Sequence, residues 1–506
     1  MGEEKKEEKA ISRRKYLGAV GGLAAAAAVG WGLAGYLASK PKAPAVEKTV
    51  TITKTEAITP TAPATTPIKK YAGLTLKVPF PEGWGSWAPG IAMVHEFEEE
   101  TGMKVDYHFL PWAENGSKQL LEITNKTGAY DLNTVGAEEW PMFLPHLIGL
   151  NSRIEEHWGS LNAFMSDVFP KLQEPLIYEG EHRGIPIHAN TMFLAYRKDL
   201  FEDPKNQKRF EEQYGRELQP PKTFQELDEV ATFFNDPPRL YGITAEQHKW
   251  ILFSTLITLF YDAGFELLDK DLRPTMKYDD KARETMIEIL KWHQDAYQKK
   301  KYINIDSLKF LDGEILDFFT SGNAAMALYI WMDFWGGVPG YHAPEVRKRI
   351  GKVEAIPLPT IKPDGVHHGG VGSWWIHGIP EDSKHPDAAW EYIKWAISEK
   401  VQLACAAGQF PPYKSICEKA IKLTMPHAPD VPLIPKDVFE VFTKAKNLYY
   451  CYSANKMVIE VSMEPLTKAQ DLFESCLLGM ITPEKAIDEY TKALEETLKA
   501  AGYYRR

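Results

Sequence analysis

From Leu74 onward the chain alternates short apolar runs with stretches of helical periodicity, and that alternation restricts the fold more than any other feature. "LTLKV" reads as a strand, the loop "PFPEGWGSWAPG" follows, and "IAMVHEFEEETG" reads as a helix closing at Gly102. "MKVDYHFL" is a second strand. "SKQLLEITNKTGAYDLNTVGAEEW" reads as a helix, a turn at Gly128 and a strand running into Glu138, Glu139 and Trp140. Strands separated by helices imply a parallel α/β sheet, whose ligands gather in loops beyond the strands' carboxyl ends. Trp84, Trp87, Glu138, Glu139 and Trp140 occupy such loops and are candidate ligand contacts.

The pattern continues to the C-terminus. "HRGIPIHANTMFLAYRKDLFED" is an apolar strand turning into a helix. In "PPKTFQELDEVATFFND" Thr223 is placed as an N-cap with Glu226 three residues on, the arrangement in which a hydroxyl and a carboxylate satisfy free amides at a helix start. "KWILFSTLITLFYDAGFELLDKD" is interrupted by Tyr261 and Asp262 and reads as a core helix rather than a membrane span. "DFFTSGNAAMALYIW" runs from helix through Gly322 into a strand, and "GGVGSWWIHGIP" sets Trp374 and Trp375 side by side after glycines. Neighbours in a strand point to opposite faces, so both Trp374 and Trp375 are candidate ligand contacts but not together: the expectation is Trp375, with His377, toward a ligand and Trp374 against the lobe, and the reverse register would put Trp374 toward the ligand. The tail is mainly helical.

Ahead of this body stand two segments that cannot belong to its core. "SRRKYLG" (12–18) resembles a twin-arginine signal and precedes Gly/Ala/Leu-rich residues to Ala38, about one membrane thickness; a plain signal-anchor fits equally. Either places everything downstream outside the cytoplasm. With no cysteine available for a lipid there, residues 1–40 are expected to remain as an anchor. Residues 41–70 are Pro/Thr/Ala-rich, bury too little to fold, and read as an extended stalk.

With 506 residues, 44% of them hydrophobic, the body is expected to form two lobes. A net charge of −10 disfavours nucleic acid or an anionic membrane surface as partner. Cys405, Cys417, Cys451 and Cys476 allow three pairings or buried thiols, and show no zinc spacing. Asn115 and Asn125 begin glycosylation sequons, which require a surface position.

Four segments in order, "FEEETGMKVDY", "GIPIHANTMFLAYRKDLFED", "FTSGNAAMALYIW" and "GIPEDSKHPDAAWEYIKWAISEKVQ" with "GQFPPYKSI", resemble the extracellular solute-binding proteins of ATP-driven (ABC) importers, in particular the carbohydrate-binding, maltose-binding-protein-like group. The resemblance spans about residues 72–500. It implies a two-lobed α/β fold of the type II periplasmic-binding-protein kind, with hinge strands between the lobes and the ligand in the cleft. Mapped onto this chain, lobe one is 72–188 with 331–371, and lobe two is 191–326 with 376–506. It further implies a monomer without cofactor or metal that hands a sugar or polyol to permease subunits in the membrane.

A sugar presents flat C–H faces and a rim of hydroxyls, so its site needs aromatic rings and paired polar groups. Beside the loop residues above, the pairings Trp331 with Asp333 and Tyr261 with Asp262 offer that combination. The crossover resemblance adds Asn190, with His188 beside it, and the loop after Gly408 adds Gln409 and Phe410. Gly372 would let ligand approach the backbone. Catalytic motifs are missing: there is no G-x-S-x-G, no H-E-x-x-H and no P-loop, and His367, His368 and His377 lack a carboxylate at ligand spacing. The competing reading is a binding protein for a polyamine or ferric ion. Tyr449, Tyr450 and Tyr452 resemble the neighbouring tyrosines of ferric-ion binders, although "AKNLYYCYSANKMVIEV" reads as a core-packing helix.

Overall fold

The computed structural model describes residues 70–502, except 83–89, 92, 112–113, 137–138, 337–339, 363–364, 366, 368–371, 445–462 and 501. The leader, the stalk, Trp84, Trp87, Glu138, His368, Cys451 and the tyrosines 449, 450 and 452 therefore lie outside the described residues.

The body opens with β1 (Thr75–Pro81), α1 (Val94–Thr101) and β2 (Lys104–Leu110), β1 and β2 pairing in parallel. Leu76, Val78 and Phe80 alternate inward from β1, and Gly102 ends α1 in the left-handed region at φ 75°, where a side chain would be strained. Next come α2 (Asn115–Thr124) and β3 (Asn133–Gly136). Asn115 is 1% exposed, its amide donating to the Thr134 carbonyl at 3.1 Å, so the first sequon is inside the protein; Asn125 is exposed.

The long strand β4 (Ile185–Arg197) organises the rest. The elements that follow are α3 (Phe224–Phe234), β5 (Tyr241–Ala245), α4 (Lys249–Asp262), α5 (Asp280–Gln298), α6 (Asp312–Thr320), β6 (Ala324–Trp331), α7 (Asp333–Gly336), β7 (Val353–Pro357) and β8 (Gly372–Gly378). Helices α8 (Pro386–Ala396), α9 (Lys436–Lys444), α10 (Met463–Leu477) and α11 (Pro483–Ala500) complete the framework. The start of α3 is capped as its sequence dictates: Thr223 Oγ1 accepts from the Glu226 amide at 3.2 Å, and Glu226 accepts from the Lys222 amide at 2.7 Å.

The main sheet runs β3-β8-β4-β6-β5, with β7 also on β4. It is mixed rather than parallel: β5 and β6 are parallel, but β4 is antiparallel to β8, β6 and β7, and β8 is antiparallel to β3. The first half of β4 pairs with β8 and its second half with β6 and β7, so one strand passes from one apolar core to another. Its alternation serves both: Ile185, Ile187, Ala189, Phe193 and Ala195 lie in the first core, Met192, Leu194 and Tyr196 in the second.

These cores redraw the expected boundaries. The sequence mapping kept 376–506 as one block in the second lobe. Trp374, Ile376, Trp390, Phe410 and Phe442 instead pack in the first core, and among the described residues of that block only those from Leu466 to Leu498 pack in the second. The cause is β8, which takes its hydrogen bonds from β3 and the first half of β4 and draws the following helices with it. Cys405, Cys417 and Cys476 are buried free thiols; burial pushes Cys405 and Cys476 up to about 12. No helix among the described residues is long and apolar enough to cross a membrane.

Candidate functional site

Where β4 crosses between the cores, its side chains meet the N-terminus of α7. Asn190 Oδ1 accepts from the Met332 amide at 2.9 Å and from its neighbour's amide, Thr191, at 2.9 Å. Its Nδ2 donates to Asp333 Oδ1 at 2.9 Å, and His188 Nε2 stands 3.3 Å from the same oxygen. His188 and Asn190 are 2% and 3% exposed, whereas the Asp333 side chain keeps 24% of its surface. A carboxylate held by two buried partners is fixed in place, and a carboxylate is an acceptor for hydroxyl and ammonium groups.

A tryptophan adjoins this cluster on each of two neighbouring strands. Trp331 ends β6 opposite Met192 and belongs to the second core; Trp375 is paired with His188 across β4 and belongs to the first. Both are nearly buried, at 6% and 7% exposure. Gly372 pairs with Thr191 three steps along the same ladder. The structure thus brings together Asn190, Trp331, Asp333, Gly372 and Trp375 from the sequence-derived set.

Other members of that set are placed elsewhere. Trp140 is fully buried in the short helix Trp140–Phe143, its ring filling the space beside Gly184 and Gly378, where an added Cβ would come within 2.2 Å and 2.8 Å of it. It is a core residue, which corrects the expectation of ligand contact. Trp374 is likewise fully buried, and so is His377, which faces Phe80 and Tyr392 at ring distances of 5.8 and 5.7 Å instead of pointing to a ligand with Trp375. Both edges of β8 are paired and its faces are covered, so alternation there selects between two buried environments rather than core and solvent. Gln409 and Phe410 are fully buried too, Phe410 exchanging backbone hydrogen bonds with Ala189 and packing on Phe442 at 4.6 Å. Neither reaches a surface a ligand could touch.

Glu139 sits at the end of β3 with its carboxylate against Gly116, where a Cβ would stand 1.8 Å from Oε2; glycine in the first turn of α2 is what admits it. Tyr261 is 2% exposed inside the second core. Asp262, 5% exposed, lies 2.9 Å through Oδ2 from His367 Nδ1. Sequence reasoning passed over Glu246 and Gln247, which follow β5 and are 1% and 0% exposed. The Tyr297 hydroxyl donates to Gln247 Oε1 at 2.7 Å. Tyr341 lies close enough that burial and the Glu246 carboxylate push its hydroxyl well above the usual range. The available signal was their place at a strand's carboxyl end in "ITAEQHKW". Among the described residues no group of three His, Cys, Asp or Glu side chains is disposed to hold a metal ion.

Comparison with known proteins gives this geometry its context. Residues 85–403 match the family model of bacterial extracellular solute-binding proteins. A mannitol-binding protein of Pseudomonas aeruginosa is 23% identical over 440 residues, spanning 80% of this chain and 89% of that one. The ribitol complex of an ABC transporter solute-binding protein from Agrobacterium radiobacter superposes with a TM-score of 0.66 at 23% identity, covering 84% of this chain and 99% of the other. A D-mannitol-bound counterpart from Agrobacterium vitis gives 0.64 at 20% identity, covering 85% and 100%. The fold is accordingly the two-lobed one of these proteins, and the chain belongs to the bacterial extracellular solute-binding proteins.

Proposed function

We propose that this protein captures a sugar or polyol between its lobes and delivers it to the permease of an ABC importer. The observation that carries the reading is the Asp333 carboxylate, oriented by Asn190 and His188 and flanked by one tryptophan from each core. Rings from opposite lobes and a fixed acceptor between them match the alternating C–H faces and hydroxyls of a carbohydrate. The mannitol-binding relative and the ribitol- and mannitol-bound structures support that ligand class.

Glu139 and the loop residues Trp84, Trp87 and Glu138 complete the proposed site from lobe one. Ligand held by one lobe meets the other only on closure about β4 and the segments returning to β8, so binding energy shifts the equilibrium toward the closed form. That form docks on the permease, and the protein itself catalyses no reaction. The leader and stalk hold the body at the outer face of the membrane as a monomer.

Isothermal titration calorimetry of the full-length chain in detergent, with mannitol, ribitol, glucose, maltose, spermidine and Fe(III), tests the reading. Micromolar or tighter binding of a sugar or polyol is expected. Binding of spermidine or iron with no carbohydrate response replaces it with the non-sugar alternative.

A further inference from the structure

Beside the crossover the structure forms a small, partly open pocket of about 20 Å³, walled by Met192, Thr258, Leu259, Leu358 and Val441 and bounded on one side by Asp262 and His367. These residues come from β4, α4, the chain beyond β7, and α9, so elements of both cores meet around it. Thr191 also borders it, and Thr191 is the chain neighbour of Asn190 on β4, its amide donating to Asn190 Oδ1 at 2.9 Å. A water occupies roughly 10–15 Å³ on this measure, so the space admits one hydroxyl-bearing carbon and excludes a sugar ring.

Asp262 is the only acid on the wall among the described residues. It is 95% buried, counting from its 5% exposure, and while Oδ2 meets His367, Oδ1 has no hydrogen-bond partner among the described residues. A buried carboxylate oxygen without a donor is unfavourable, and the Thr258 hydroxyl on the wall donates to the Ser254 carbonyl at 2.6 Å instead. A CH₂–OH group satisfies both halves of this surface: its methylene packs on Met192, Leu259 and Leu358, and its hydroxyl donates to Oδ1.

We infer that the cavity is a terminal subsite for the hydroxymethyl end of a polyol or sugar, with Asp262 as the acceptor and His367 fixing the carboxylate's orientation. The inference rests on the carbohydrate reading above. It makes Asp262 a discriminator between ligands that end in a primary alcohol and those that end in a methyl group.

The test is calorimetry on the full-length chain with D-mannitol and ribitol against 1,6-dideoxy-D-mannitol and 1,5-dideoxyribitol, whose ends are all methyl, so that neither orientation of the ligand escapes the comparison. If only sugars bind, glucose and 6-deoxyglucose take their place. The wild type is expected to bind the deoxy compounds roughly 10- to 100-fold more weakly, the range for a hydrogen bond to a charged group. Asp262→Ala should weaken the parent compound by a similar factor and shrink the discrimination to about threefold or less. Val441→Phe, at a half-buried position on α9, fills the cavity without touching the polar pair and should do the same, which keeps the test intact if Asp262→Ala fails to fold. Carbohydrate binding with the same discrimination in wild type and variants overturns the subsite alone and leaves the cavity to a structural water. Absence of any carbohydrate binding overturns the functional reading and the subsite together.

Discussion

Three histidines, His293, His342 and His377, are at most 1% exposed, and burial depresses their basicity to about 4, about 3 and about 3 respectively. Around His293, Nδ1 lies 2.7 Å from the Ile289 carbonyl, which can only accept, so Nδ1 carries the proton and Nε2 is left to accept from the Tyr329 hydroxyl at 2.6 Å; the Ile289 bond favours the protonated ring, and burial outweighs it. Folded, all three stay neutral down to about pH 4; unfolded, each takes up a proton near pH 6.5. Because the folded basicity is the lower one, the stabilising contribution is complete above pH 6.5 and is lost as pH falls through and below that value. Between pH 7.5 and 5.5 each histidine removes about 1.3 kcal/mol, about 4 kcal/mol for the three, with uptake of about 2.7 protons on unfolding at pH 5.5. His157 and His182 are shifted in the same direction and add to the loss. Guanidinium unfolding followed by tryptophan fluorescence across this range measures it. If the two cores unfold in separate transitions, the first, with His342 and His377, should lose about twice as much as the second, with His293. His342→Phe should remove about a third of the effect. A stability change below about 1 kcal/mol over the same range would refute the claim that these rings are held neutral by burial.

Trp374→Ala should destabilise the first core by about 3–5 kcal/mol in chemical denaturation, since its ring is fully buried. Trp375→Ala should instead show mainly as a roughly tenfold or greater loss of carbohydrate affinity in calorimetry. Gly242→Ala would bring its Cβ within 2.2 Å of the Ala231 carbonyl on α3 and should cost about 1–3 kcal/mol in the second core; an unchanged unfolding midpoint would contradict that packing. The buried thiols of Cys405, Cys417 and Cys476 should resist an aromatic disulfide reagent in native buffer and react once the chain is denatured.

What the sequence conveyed well was local. The Thr223–Glu226 cap, the left-handed Gly102, and the helix-to-strand passage through Gly322 into β6 each depend on a few adjacent residues, and each is found where the pattern puts it. Partnership between distant segments was not encoded that way. Nothing local marks 374–442 as first-core chain, because apolar helices of similar composition serve either lobe; the decision is made by which strand edges β8 joins. The tryptophan pair shows the same limit, since period-two alternation assigns faces but not what covers them. Asn190 and Asp333 are each legible in the sequence, yet their 2.9 Å contact joins residues 143 apart, and nothing local brings His188 to the same oxygen; β4 does.

The account depends most on Asp333 as the carboxylate that receives the ligand's hydroxyls. Calorimetry of Asp333→Ala against the wild type, with whichever carbohydrate binds tightest and with near-ultraviolet circular dichroism confirming the fold, measures this directly. A loss of affinity of roughly 100-fold is predicted, as for removal of a charged hydrogen-bond acceptor. Affinity within about twofold of the wild type in a folded variant would contradict the account.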